Sequence, residues 1–171
     1  MSPTAETMTT LELQSNSADD TLAIGREIGA ALPPGLFVAL NGELGSGKTV
    51  LVKGIAHGLG VPGWAGLRSP TFTLMLSYHG GRCVLHHVDF YRLNEAPGLP
   101  GEIEDCMFSS DQICIVEWAD IWPETWPKQH LTIHIRAGED KRRNISIEFP
   151  EALLPGLASA LEKWTVSPSS A

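Results

Sequence analysis

The sequence predicts an α/β fold built on a mixed β-sheet, and three observations carry that prediction. Leu36-Phe37-Val38-Ala39-Leu40 is a short apolar run that passes through a glycine-rich turn into residues 49–59, whose apolar positions have helical spacing. Ile113-Cys114-Ile115-Val116 is a second continuous apolar run, the pattern of a central strand buried on both faces. Residues 131–135 and 144–149 instead alternate apolar and polar side chains, as an antiparallel hairpin with one face in solvent does. Continuous runs call for parallel strands under helices and alternating runs for antiparallel additions, so the layers are helix, mixed sheet and helix.

Each element follows in order. Thr10-Leu11-Glu12-Leu13-Gln14 alternates and reads as an edge strand. Ser17 with Asp20 three positions later is a capping pair, and it opens a helix through Ala23, Ile24, Ile28 and Ala31 that ends before Pro33-Pro34. The helix over 49–59 stops at Gly60, with Pro62 beyond. Residues 71–78 are strand-like, and Gly80-Gly81 turns the chain into a second run over 83–89, which predicts a hairpin. Residues 101–111 form a mobile acidic segment with some helical tendency, and residues 151–164 a closing amphipathic helix. A chain of 171 residues, without an internal repeat or a linker-like stretch, is expected to be one domain over 1–171, with flexible ends at 1–9 and 165–171.

Composition excludes several classes of function. The formal charge of −8 opposes autonomous nucleic-acid binding, which relies on basic groups to neutralise phosphates. Lys141-Arg142-Arg143 is too short a basic cluster to reverse this and reads as a solvated turn of the hairpin. The N-terminus lacks the basic segment and apolar core of a secretory signal, and no apolar run approaches membrane-spanning length. A cytoplasmic protein without membrane contact is expected. Three cysteines, an odd number, suit a reducing compartment, and Cys83 and Cys114 in apolar runs are expected to pack in the core.

The chemistry concentrates in Gly42-Glu43-Leu44-Gly45-Ser46-Gly47-Lys48-Thr49, a G-x-x-x-x-G-K-T phosphate-binding loop between a strand and a helix. Glycines let the backbone wrap until the N–H groups of Glu43, Leu44, Gly45, Ser46 and Gly47 converge on a polyphosphate. Lys48 sets an ammonium against the outer phosphates, and Thr49 offers a hydroxyl to Mg2+. Phosphoryl chemistry also needs a carboxylate near the metal and a group that orients water. Asp89 and Glu117 each end an apolar run, at the sheet edge where α/β proteins bind ligands. Which of the two holds the metal stays open. Arg68-Ser69-Pro70-Thr71-Phe72-Thr73 is a loop where a hydroxyl of Ser69 or Thr71 would meet the terminal phosphate, or else a plain turn into a strand.

Together these segments resemble one family. The phosphate loop, then Ser69-Pro70-Thr71-Phe72-Thr73, then His87-Val88-Asp89-Phe90-Tyr91-Arg92-Leu93, then Val116-Glu117-Trp118 look like the TsaE (YjeE) family, the bacterial ATPase of tRNA threonylcarbamoyladenosine biosynthesis. The resemblance runs from the N-terminal helix through Trp118 and is looser beyond. It implies a P-loop NTPase-like fold that binds ATP and Mg2+. It implies partnership with the TsaB–TsaD pair, which modifies adenosine 37 of tRNAs reading ANN codons, so tRNA would be met only indirectly. It also implies roles: Lys48 for phosphate, Thr49 for Mg2+, Thr71 in a switch-like loop, and Asp89 in a Walker-B-like position. Glu117 would be a Mg2+ or water-orienting group, with Trp118 its partner against the nucleotide or a core aromatic. The chain departs from the family at Glu102-Ile103-Glu104-Asp105-Cys106, which lacks the glycine of an L-E-x-x-G segment and leaves a shorter stretch to Glu117. A solvated acidic loop is the expectation there.

Three functions compete. One is a slow ATPase stimulated by its partners. Another is a nucleotide-gated binding module that organises the complex without obligatory hydrolysis. A P-loop small-molecule kinase is third, disfavoured because Arg68, Arg82, Arg92, Arg136, Arg142 and Arg143 are scattered and form no evident lid.

Overall fold

Continuous apolar runs in the central strands call for a sheet with a helical layer on each face, and a computed structural model describing residues 6–167 has this architecture. Seven strands run in the order β1-β7-β6-β2-β5-β4-β3. Their bounds are β1 Met8–Ser15, β2 Phe37–Asn41, β3 Met75–Tyr78, β4 Leu85–Asp89, β5 Ile113–Glu117, β6 His130–Ala137 and β7 Arg143–Pro150. The four inner strands β6, β2, β5 and β4 are mutually parallel, while β1, β7 and β3 join antiparallel, so the sheet is mixed as expected.

Helices α1 (Ala18–Ala31) and α2 (Lys48–Gly58) cover one face. There Val38, Leu40, Ile113, Ile115, Ile133, Ile135, Ile145 and Ile147 pack against Ile24, Ile28, Leu51 and Ile55. Phe37, Ala39, Cys114 and Val116 point to the opposite face, under α3 (Gly101–Met107) and the short turns around Trp122 and Trp126. This is the period-two alternation of a strand buried on both sides.

Ser17 caps α1 by accepting the Asp20 N–H at 3.0 Å, while the Asp20 carboxylate accepts the N–H of Asn16, the residue before the cap, a variant of the capping box. At the other end Arg82, from the β3–β4 turn, donates to the carbonyls of Gly29 and Leu32, the orphan acceptors of the last turn. The two helices meet along a seam of glycines. A Cβ added at Gly29 would overlap the Ile55 carbonyl, and one at Gly54 the Leu22 carbonyl, so the backbones touch directly. That contact fixes α2, and with it the loop that precedes it.

Several expectations are corrected. Residues 71–74 are a turn, not strand. The Pro70 carbonyl accepts the N–H groups of both Thr73 and Leu74, and Leu74 is left-handed at φ 68°. Residues 101–107 form a true helix, with Ile103, Cys106 and Met107 in the core and the acids Glu102, Glu104 and Asp105 in solvent. The closing helix shrinks to α4 (Leu157–Ala160) and one 3-10 turn over Glu162–Trp164, because Pro155 and the left-handed Gly156 interrupt it. Its apolar stripe Leu154, Leu157, Leu161 and Trp164 is nevertheless buried. Cys114 lies in the core, whereas Cys83 is only half-buried. Met8 and Thr9, expected to be flexible, begin β1, and Thr165 and Val166 are bonded back to that strand. Of the rest of the expected flexible ends, residues 6, 7 and 167 are described without regular structure, and residues 1–5 and 168–171 lie outside the described residues. No described helix is long and apolar enough to cross a membrane.

Candidate functional site

The site begins where β2 ends. After Asn41 the chain turns through Gly42 to Gly47 and enters α2 at Lys48. Gly45 and Gly47 are left-handed, at φ 76° and 107°, which side chains rarely tolerate. Ser46 bonds back to the Glu43 carbonyl, closing the turn, and its hydroxyl is buried with no hydrogen-bond partner among the described residues. The first turn of α2 holds no acidic residue, and Gly47 supplies no capping side chain. Its N–H groups and helix dipole therefore favour an anion.

Lys48 is buried, and its ammonium donates to the carbonyls of Gly42 at 2.6 Å and Glu43 at 2.9 Å. It also sits 4.6 Å from the ring centre of Trp118, a cation–π contact. Burial lowers the lysine's pKa, and the charges of Glu117, Asp89 and Asp120 pull it partly back. Three carboxylates around one ammonium leave an excess of negative charge, which a divalent cation would offset.

The acids arrive from adjacent strands. In the parallel pair β4–β5, Asp89 stands directly opposite Glu117. Both are 3 % exposed. Their hydrogen bonds differ. Asp89 accepts the Thr71 hydroxyl at 2.8 Å and the Ser69 hydroxyl at 3.4 Å on one oxygen, and the Tyr91 N–H at 2.8 Å on the other. Both of its oxygens are thus engaged, and it ties the Ser69-Pro70-Thr71 loop to the sheet. Glu117 accepts from the side chain of His87 alone, on Oε1 at 2.8 Å, among the described residues. Its second oxygen remains available.

One cleft brings together Leu44, Lys48, Thr71, Asp89, Glu117 and Trp118 of the residues expected from sequence. Glu43, Gly45, Ser46 and Gly47 form the loop behind it. Thr49, the second residue of α2, is half-buried and outside the cleft lining. Trp118 is half-buried, a wall of the cleft as much as a core residue, with a left-handed backbone at φ 56°. Tyr91 packs beside it at 5.2 Å.

Three features escape the sequence reading. Tyr91 lines the cleft, beside both Thr71 and Ser69, the two hydroxyls offered by the sequence. His87 is named in the motif but carries no role there, although its position two residues before Asp89 puts both on one face of β4. Arg143, expected in a solvated turn, is half-buried beside Gly47. There it lines a second recess with Ser17, Thr21, Val50 and Lys141. The solvated-turn expectation holds for Arg142, which pairs with Glu139 at 3.3 Å in solvent.

The residues fit a magnesium–polyphosphate unit on this chain's own features: the unpartnered Ser46 hydroxyl, the uncapped first turn of α2 and the acidic excess around Lys48. Comparison with known proteins agrees on the family. The family model described as threonylcarbamoyl adenosine biosynthesis protein TsaE matches residues 15–145. The tRNA threonylcarbamoyladenosine biosynthesis protein TsaE of Bacillus subtilis is 38% identical over 136 residues, covering 79% of this chain and 84% of that protein. Its counterpart in Treponema pallidum is 37% identical over 134 residues, 78% of this chain and 96% of that one. The crystal structure of Bacillus subtilis YdiB superposes with a TM-score of 0.72 at 28% identity, covering 93% of this chain and 98% of the other. By sequence, fold and the motifs at its cleft, this chain belongs to the TsaE family of tRNA threonylcarbamoyladenosine biosynthesis proteins.

Proposed function

We propose that the chain is a cytoplasmic, Mg2+-dependent ATPase that acts with TsaB and TsaD in the threonylcarbamoylation of adenosine 37 in tRNAs reading ANN codons. The observation that carries this is the meeting of Lys48, Asp89 and Glu117 in one cleft at the exit of the glycine loop. Backbone N–H groups over residues 43–47 and the Lys48 ammonium would grip the phosphates. Thr49 and Glu117 are the residues that would hold the metal, since Glu117 keeps a free oxygen and Asp89 does not. Magnesium held there would supply Lewis-acid stabilisation of the charge that develops on the phosphate. Asp89 orients Thr71 at the cleft wall and fixes the loop that carries it. The recess beside Gly47, with the Arg143 guanidinium at its edge, supports the adenosine half of the nucleotide there. The acidic balance of the chain favours contact with tRNA only through its partners.

The test is ATP hydrolysis by the purified chain, alone and with TsaB and TsaD. Slow turnover alone, faster turnover with both partners and its abolition by Lys48→Ala are expected. Full hydrolysis by that variant would overturn the assignment of the loop. A second reading, nucleotide gating without obligatory hydrolysis, has its own support. Asp89 links the cleft to the Ser69-Pro70-Thr71 loop, so occupancy of the cleft has a route to the surface. Glu117→Gln separates the two: a gated module would still assemble and support modification, whereas an ATPase would assemble and stop at turnover.

A further inference from the structure

His87 is the most deeply buried titratable side chain beside the cleft, and the roles described so far do not use it. It is 0 % exposed on β4. Its Nε2 lies 2.8 Å from Glu117 Oε1, and its Nδ1 is buried without a partner among the described residues. A carboxylate only accepts, so the Nε2 must carry the proton of this bond. The neighbours of Glu117 explain why the bond matters. Its side chain has three rotatable bonds and stands at the last position of β5. Lys48 donates instead to the carbonyls of Gly42 and Glu43, and Asp89 accepts from Ser69, Thr71 and Tyr91, so neither is bonded to it. Without His87, no described protein group would fix its orientation.

The strand register makes the geometry rigid. His87 faces Ile115 and Asp89 faces Glu117 across the parallel pair, so the imidazole reaches diagonally from two register positions below the carboxylates. The residues that flank it, Leu85 and Ile115, are both fully buried, and the ring is held in a packed environment. A buried N–H that satisfies one oxygen of a carboxylate and leaves the other open to a cleft is the arrangement of an outer-sphere partner that orients a metal ligand.

We propose that His87 is a positioning residue for Glu117: its Nε2–H pins Oε1 so that Oε2 faces the cleft, where it takes the nucleotide-bound divalent cation. This rests on the proposed Mg2+–nucleotide reading of the cleft. The competing account is a core histidine that only stabilises β4. His87→Leu keeps apolar bulk and removes the donor, and His87→Gln restores an amide donor near the Nε2 position.

Mn2+ binding to the complex of the whole chain with a non-hydrolysable ATP analogue, followed by electron paramagnetic resonance, reads the metal directly. The expected result for His87→Leu is metal affinity weaker by about 10-fold or more, the range for loss of an outer-sphere partner. Affinity for the analogue without metal should stay within about twofold, since phosphate contacts are made by the loop. His87→Gln should recover most of the metal affinity, and His87→Leu should add no further loss to a Glu117→Gln background. In turnover with TsaB and TsaD, kcat should fall with KM for ATP nearly unchanged. Wild-type metal affinity in His87→Leu would overturn the proposal, as would additive losses in the double variant. A parallel drop in melting temperature and metal-free nucleotide binding, unrescued by glutamine, would assign His87 to folding instead. If the wild-type chain binds no Mn2+ with the analogue, the reading of the cleft fails first, and this inference with it.

Discussion

Gly29→Ala tests whether α1 and α2 meet backbone to backbone. The added methyl would overlap the Ile55 carbonyl oxygen and lie 2.8 Å from its carbon and 2.9 Å from its Cα. Favourable carbon contacts fall at about 3.5–4.0 Å, so the helices must part by roughly 1 Å. None of the three atoms belongs to a side chain that can rotate away. Overpacking a filled interior costs about 1–3 kcal/mol, and here the upper end applies because backbone must move. Alanine's better helix propensity offsets about 1 kcal/mol of this. The net expectation is a loss of about 2 kcal/mol. In urea denaturation that lowers the midpoint by about 1 M at an ordinary slope, and in a thermal melt it lowers Tm by about 4–8 °C. Gly98→Ala is the control, because a Cβ there meets nothing within 4 Å, and its effect should stay within about 0.5 kcal/mol. A Gly29→Ala protein with the wild-type midpoint would refute the close approach and the claim that it fixes the phosphate loop.

Two further outcomes are expected. Thr71→Val removes the 2.8 Å bond to Asp89 and leaves only the longer one from Ser69; it should cost about 1 kcal/mol of stability and slow hydrolysis while sparing nucleotide affinity, measured by melting and by binding of a fluorescent ATP analogue. Arg143→Ala should weaken nucleotide binding several-fold, roughly a 1 kcal/mol effect, without altering the metal dependence of turnover, and unchanged affinity in a titration would remove adenosine from the recess beside Gly47.

Much of this was legible from residue pattern. The capping pair at Ser17, the doubly buried β5 and the hairpin of β6 and β7 follow from local spacing, and so does the phosphate loop. Two acids at strand ends were also visible, because a strand that stops on a carboxylate after apolar residues is a local signal. What escaped depends on contacts distant in sequence. Residues 71–74 have strand-forming composition, but the Thr71 hydroxyl is committed to Asp89 and the Pro70 carbonyl to two N–H groups, so tertiary demands override propensity. The apolar stripe of the last segment was correct in its spacing and wrong in its backbone, because Pro155 and Gly156 break the helix that the spacing implies. Arg143 could not be set beside Gly47 without the pairing of β6 to β2, which no local pattern specifies.

The opposed placement of Asp89 and Glu117 on neighbouring parallel strands has a consequence for how such a chain can diversify. Their separation is governed by the spacing of hydrogen-bonded strands, about 4.8 Å, and owes nothing to the connection between them. That connection holds α3 and its exposed acids. Its length and composition can therefore drift, and take on whatever surface a different host demands, while the distance between the two acids is preserved.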